Sequence, residues 1–175
     1  MRFQGRRDIP LNDTGRDQAK RNGKALADYL GKAEGYDFIC SPMQRTRETM
    51  EIIRGEMGLE PTQYAIEDRL IEAAYGELEG MTIHELKANH RDIHRDRKTN
   101  RWHFCPPSGE SLSMTLERVA PVFDEIIKPS IVVAHGAVGR GVRKHLLGLS
   151  EEDAAWFVFP QDKVFRFENQ TETLV

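Results

Sequence analysis

The segment Ser130–Arg140, SIVVAHGAVGR, constrains the fold most. Ile131 to Ala134 is a short apolar, mostly β-branched run, the pattern of a strand buried on both faces. It stops at His135–Gly136. Apolar residues then recur at Val138, Val142, Leu146 and Leu149, the three- and four-residue steps of a helix. A buried strand that feeds straight into a helix is the repeating unit of a parallel α/β sheet. Such sheets bind ligands beyond the carboxyl ends of their strands, where helix N-terminal amides favour an anion. His135 stands at that point, with an imidazole that can donate a hydrogen bond near neutral pH. A histidine that only caps a strand is the competing reading of this segment taken alone.

The same pattern recurs along the chain. Thr14–Asp17 resembles a capping box and predicts a helix to about Leu30, with Ala19, Gly23, Leu26, Ala27 and Leu30 facing inward. Gly31 and Gly35 end it, and Asp37–Cys40 reads as a buried strand. Ser41 is placed to cap the next helix, with Pro42 at its first position. Met43, Met50, Ile53 and Met57 form that helix's buried stripe, and Arg45 lies on a different face. Tyr64–Ile71 supplies a third strand, and Glu72 follows it into a loop containing Gly76 and Gly80. Thr82 to about Asn89 is a short helix.

His90 to Trp102 is dense in charge without a clear apolar face, as in a solvated helix or a mobile flap. His90 and His94 have the i,i+4 spacing that can clasp a metal, but no third ligand stands near, so no metal is expected. A helix opens at Gly109–Ser111 and runs through Ile126, with Pro121 expected to kink or divide it. After Ser150 a short helix is expected. Val164–Phe167 alternates like a peripheral strand, and Thr171–Val175 can pair with it as a hairpin. The first fourteen residues read as a loop made basic by Arg2, Arg6 and Arg7. The order of elements predicts an α/β fold, three-layer α/β/α with a mostly parallel central sheet, as a single domain over residues 1–175. Such a pattern normally begins with a strand; here it begins with a loop.

Composition excludes several classes. A net charge of −3 with 30% charged residues gives no broad surface for nucleic acid or membrane. Cys40 and Cys105 are distant from one another, which suits free thiols in a reducing compartment. No apolar run approaches a membrane span and no signal peptide opens the chain, so a soluble cytoplasmic protein is expected.

Several fragments together resemble the histidine phosphatase superfamily, the phosphoglycerate-mutase-like fold. They are Arg2–Gly5, Pro10–Gly15, Ser41–Arg45 with Thr49, Leu70–Glu72 with Tyr75–Gly76 and Glu79–Gly80, Gly109–Ser111, and Ala134–Gly136 with Arg140. The resemblance spans nearly the whole chain in the family's order. It implies a phosphoryl transfer through a phosphohistidine, with no cofactor and no metal, on a small phosphorylated substrate. Carried over residue by residue, Arg45 clamps the phosphate, His135 donates to a phosphoryl oxygen and Glu72 protonates the leaving oxygen. Gln4, Gly5, Gly136 and Ala137 line the phosphate mouth, and Tyr75 the substrate side.

One departure stands out. The family opens with a strand ending in Arg-His-Gly-Glu-Thr, whose histidine is the nucleophile, and none of the six histidines here takes that place. The expectation is that roughly fifteen to twenty residues, including a strand, lie upstream of Met1, in a fold whose loops are short. Residues 1–175 alone are then expected to be inactive. The segment between Gly80 and Gly109 is shorter than the basic insertion with which phosphoglycerate mutases grip a substrate's second charged end. A phosphomonoesterase is therefore the preferred reading. A phosphoglycerate mutase, whose anionic substrate Arg91, Arg95, Arg97, Lys98 and Arg101 could meet, and a non-catalytic phospholigand- or protein-binding pseudoenzyme are the alternatives, and a homodimer is compatible with each.

Overall fold

The computed structural model describes residues 2–175. Three short parallel strands, β1 (Asp37–Cys40), β2 (Ala65–Ile66) and β3 (Ser130–Val133), form a sheet in the order β2-β1-β3. β1 and β3 run in register from Asp37 beside Ser130 to Cys40 beside Val133. Their carboxyl ends therefore finish at the same level, and the residues that follow each strand emerge side by side.

Strand side chains alternate between two faces, and both faces are covered. Phe38, Cys40, Ile131 and Val133 point to one side, where α1 (Asp13–Leu30) and α2 (Gln44–Glu56) pack with Leu26, Met50 and Ile53. Ile39, Val132 and Ala134 point to the other, against α5 (Leu112–Asp124) and α6 (Gly136–Leu147), with Val119, Val122, Val138 and Val142. This is the predicted three-layer α/β/α arrangement. A third cluster, around Trp102, Leu112 and Ala137, ties α5 and α6 to α7 (Glu151–Trp156).

Two local differences from the sequence expectation have physical causes. Asn12, not Thr14, caps α1, accepting the Gly15 N–H at 2.8 Å. The expected strand over Tyr64–Ile71 shrinks to Ala65–Ile66. Beyond it Glu67 caps a 3₁₀ turn at Asp68–Leu70 and pairs with Arg69, which also reaches Glu125. Local side-chain bonds to the backbone there outcompete the ladder.

The charged stretch after Thr82 folds as two helices, α3 (Ile83–Asn89), with a full capping box from Thr82 and Glu85, and α4 (Arg91–Thr99). α5 continues through Pro121 to Asp124 without dividing, because the proline falls in its last turn. β4 (Phe165–Glu168) and β5 (Thr171–Leu174) make the expected antiparallel hairpin, separate from the parallel sheet. Among the described residues the second edge of β3 has no strand beside it. No helix is long and apolar enough to cross a membrane.

Candidate active site

β1 and β3 each deliver one polar residue to their common carboxyl end. β3 runs out at Ala134, and His135 takes the N-cap position of α6 in an extended conformation. Its ring does not turn back to cap the helix. It reaches sideways instead, so that Nε2 lies 2.7 Å from the hydroxyl of Ser41, which follows β1. Ser41 was expected to cap α2, and it does not. That helix starts at Gln44 after an uncapped Met43, and Ser41 is fully buried against the histidine.

Arg45 enters from the first turn of α2. Its guanidinium donates to the Gly5 and Arg7 carbonyls at 3.0 and 2.9 Å, which folds the N-terminal loop over it. Burial lowers its pKa from the ordinary guanidinium value, while the charges of Glu72, Asp8 and Glu79 push it back up. Gly5 has φ +56°, a conformation glycine tolerates, and a Cβ there would collide with the Glu79 carboxylate. Gly5 is thus required by the loop's path.

Glu72 closes the third side. It is buried, and its carboxylate accepts the Ala73 and Ala137 amides at 3.0 and 3.1 Å. The second of these is an N-terminal amide of α6, where the helix favours negative charge. Burial dominates, however, and pushes the Glu72 pKa above the ordinary carboxyl range. The two amides, Arg45 and Arg140 oppose that shift without cancelling it. The segment carrying Glu72 is held by arginines. Arg118 donates to the Arg69 and Ile71 carbonyls, Arg6 donates to the Glu72 carbonyl, and both pair with Glu110.

His135 has the opposite electrostatics. Burial, then the positive charges of Arg45 and Arg118, push its pKa down to about 3. It is a neutral imidazole at physiological pH. Arg45, Glu72 and His135 thus share one electrostatic environment, since Arg45 acts on both of the others. A guanidinium, a carboxyl group biased toward its protonated form and a neutral donor form a cup suited to holding an oxyanion and passing one proton.

The other predicted residues are distributed around this cup. The Gly136 backbone lies beside Glu72 and Arg140. The Ala137 amide is committed to Glu72. Gln4 is exposed, and its carbonyl closes a turn with Arg7. Tyr75 packs on Phe3 at 5.2 Å between ring centres, and burial, aided by the Glu72 charge, raises its pKa. The basic loop is not a free cationic rim. Arg2 pairs with Glu85, Arg6 with Glu110, and Arg7 lies 3.9 Å from Glu79.

Of the other histidines, His103 pairs with Glu151 and His145 with Asp124. His84 and His94 line a separate groove with Lys87 and Arg91, and His90 joins α3 to α4. None of these five joins His135 in the cup. No group of three metal-ligating side chains assembles among the described residues.

A second cationic site takes two of the five basic residues read as able to meet an anionic substrate, and joins them to Arg140. Arg97, Arg101 and Arg140 meet around a cavity of about 30 Å³ beside Tyr75. Burial and mutual repulsion push the Arg101 pKa down to about 10, and burial, with Arg140, lowers Arg97 as well. Arg97 lies over the Phe3 ring and Arg101 over Trp156, while Arg140 donates to the Phe157 carbonyl. The cavity's one carboxylate, Glu110, is already engaged by Arg6 and Arg118. Arg97 and Arg101 thus face the cavity with no acid partner among the described residues. The cue was present in the run of arginines from Arg91 to Arg101, but α4 has no apolar face to tell which of them turn inward.

Comparison with known proteins matches residues 1–174 to the histidine phosphatase superfamily (branch 1). The chain is 34% identical to a 2,3-bisphosphoglycerate-dependent phosphoglycerate mutase of Azorhizobium caulinodans over 162 residues, 86% of this chain and 75% of that one. It is 33% identical to a phosphoglycerate mutase of Schizosaccharomyces pombe, over 85% of this chain and 72% of that one. Among solved structures, a mycobacterial glucosyl-3-phosphoglycerate phosphatase in complex with VO3 superposes with a TM-score of 0.72 at 26% identity. That match covers 88% of this chain and 77% of the other. A phosphoserine phosphatase from Entamoeba histolytica shares the fold, with a TM-score of 0.77 at 20% identity over 99% and 86% of the two chains.

Proposed function

The chain belongs to the histidine phosphatase superfamily, whose members act on small phosphorylated substrates, and we propose that it is a phosphomonoesterase working through a phosphohistidine. The observation that carries this reading is the convergence of Arg45, Glu72 and His135 beyond the carboxyl ends of β1 and β3. Arg45 holds the phosphoryl oxygens with a planar fork of donors. His135, neutral, donates to a phosphoryl oxygen as charge builds there.

An incoming imidazole nitrogen forms the N–P bond while the P–O ester bond breaks. The departing alkoxide takes the proton of Glu72. Water then attacks phosphorus, returns a proton to Glu72 and releases phosphate and the free imidazole. Within this reading the attacking histidine is supplied from outside residues 1–175, because His84, His90, His94, His103 and His145 all lie away from the cup.

A second reading, phosphoglycerate mutase, is favoured by the arginine cluster. A cavity of about 30 Å³ with two unpaired guanidiniums suits a carboxylate-sized group, since it has room for little more than a water or two. Three of the four relatives above have phosphoglycerate in their names, a unit that carries a phosphate and a carboxylate. Both readings therefore predict a phosphorylated acid as the preferred ligand.

The test compares hydrolysis of para-nitrophenyl phosphate and 3-phosphoglycerate by residues 1–175 with hydrolysis by the same chain extended with a strand ending in Arg-His-Gly. Turnover by the extended form only, abolished by His135→Ala, supports the reading. Robust turnover by residues 1–175, or none after extension, rejects it.

A further inference from the structure

Ser41 is held from both sides through its own backbone. It is fully buried at the end of β1. Its N–H donates to the Val133 carbonyl at 3.0 Å, and its own carbonyl accepts from Thr46 Oγ1 at 3.1 Å. The backbone of Ser41 is therefore fixed to both β3 and α2. Its Oγ has a single partner, Nε2 of His135, at 2.7 Å.

A neutral imidazole carries one N–H, and the hydrogen bond made by one ring nitrogen decides where that proton sits. Two arrangements satisfy a 2.7 Å contact. In one, the serine donates its proton to Nε2 and the imidazole proton sits on Nδ1. In the other, Nε2–H donates to Oγ, and the serine proton is left without an acceptor. Water cannot reach a residue with no exposed surface, so the second arrangement strands a buried donor. A buried donor left without a partner is strongly disfavoured.

The Nδ1 side is different. Nδ1 has no protein partner, yet no buried side-chain nitrogen or oxygen among the described residues lacks one. Nδ1 is therefore open to solvent, on the side of the ring away from Ser41.

We infer that Ser41 is a positioning residue that donates to Nε2 of His135 and holds the ring as the Nδ1–H tautomer, so that Nδ1 presents the proton to an oxyanion in the cup. This deepens the reading above and rests on it for the identity of the anion; the tautomer itself does not. It also explains why the Ser41 hydroxyl does not turn to the amides of α2, whose first N–H is taken instead by the Asp8 carboxylate at 2.8 Å. Its hydroxyl is committed to a residue 94 positions away.

The experiment is long-range ¹H–¹⁵N correlation of the imidazole nitrogens in residues 1–175 at pH 7, with His135 assigned by loss of its signals in His135→Gln. The expected spectrum shows an acceptor-type Nε2 and a protonated Nδ1. Ser41→Ala is expected to move the proton to Nε2 or average the two nitrogens, and to weaken orthovanadate binding about tenfold. Ser41→Thr keeps the hydroxyl and is expected to keep the wild-type tautomer. A wild-type ring protonated at Nε2 overturns the inference without needing any variant to fold. An Ser41→Ala ring unchanged from wild type overturns it too. The tautomer is read without phosphate or turnover. An Nδ1–H ring in a chain that binds no orthovanadate upholds the positioning role and sinks only the phosphate reading.

Discussion

Two cationic regions, the cup and the arginine cluster, differ in how their charge is balanced. In the cup, Arg45 is surrounded by carbonyls and by Glu72, Asp8 and Glu79, and its charge is compensated within the fold. In the cluster, Arg97 and Arg101 act on each other and on Arg140, with Tyr75 as the neighbour of opposite tendency. The first is a finished electrostatic unit that an oxyanion enters by replacing existing contacts. The second costs free energy as it stands, because desolvated like charges repel, and an anion would relieve that cost. A self-balanced site tunes chemistry; an unbalanced one selects a ligand.

The comparison breaks most decisively at Glu72. In the extended chain, Glu72→Gln should cut turnover of an alkyl phosphate by about 10²–10⁴-fold, the usual contribution of a positioned acid. It should affect para-nitrophenyl phosphate far less, since that leaving group needs no proton. The proposed reaction uses Glu72 in its protonated form, and its pKa is raised. Turnover of the alkyl ester should therefore fall as pH rises through that raised value, and the Gln variant should lose this limb. An equal loss on both esters would remove Glu72 from the proton-donor role.

Next in size, Arg45→Ala should weaken orthovanadate binding about 10–100-fold by calorimetry, the worth of one or two charge-assisted hydrogen bonds. Arg45→Lys should recover only part of this, because an ammonium lacks the bidentate fork.

The cluster should behave oppositely. Arg101→Gln should leave orthovanadate affinity unchanged and weaken 3-phosphoglycerate about tenfold. Its melting temperature should rise less on adding 3-phosphoglycerate than the wild type's does. Loss of affinity for both ligands alike would merge the two regions into one.

The last effect, on a different scale, is on stability against acid. The folded pKa of His135, about 3, lies below the ordinary 6.5. Its contribution is therefore present above pH 6.5 and is lost as pH falls from there toward 3. His135→Asn should flatten the denaturant midpoint over that window, and an unchanged slope would show that the ring is not buried as a neutral base.

Much of this was legible in local pattern. β1 falls on Asp37–Cys40 as read from its apolar run, and α1 reaches Leu30 with Ala19, Gly23 and Leu26 buried. The stripe Met43, Met50, Ile53 and Met57 is buried throughout. What failed did so where a distant group competed. Ser41 reads as a cap because the cap rule sees only the next few residues, and it was diverted by His135. The strand read over Tyr64–Ile71 was cut short by Arg69, whose partners Glu67 and Glu125 lie on different segments. Arg97 and Arg101 could not be told from Arg91, Arg95 and Lys98, because a stretch polar on every side carries no periodic signal to say which residues turn inward.

The order of residues determined the layers: period-two strands and period-3.6 helices bury their apolar sides in only a few ways, and this chain's alternation allows a parallel sheet with helices on both faces. Tertiary structure alone decided the chemistry. The raised pKa of Glu72, the neutrality of His135 and the imbalance of Arg97 and Arg101 all depend on how much water each group loses and which charges face it. Desolvation and Coulomb interaction act through space, between residues that the sequence places tens of positions apart.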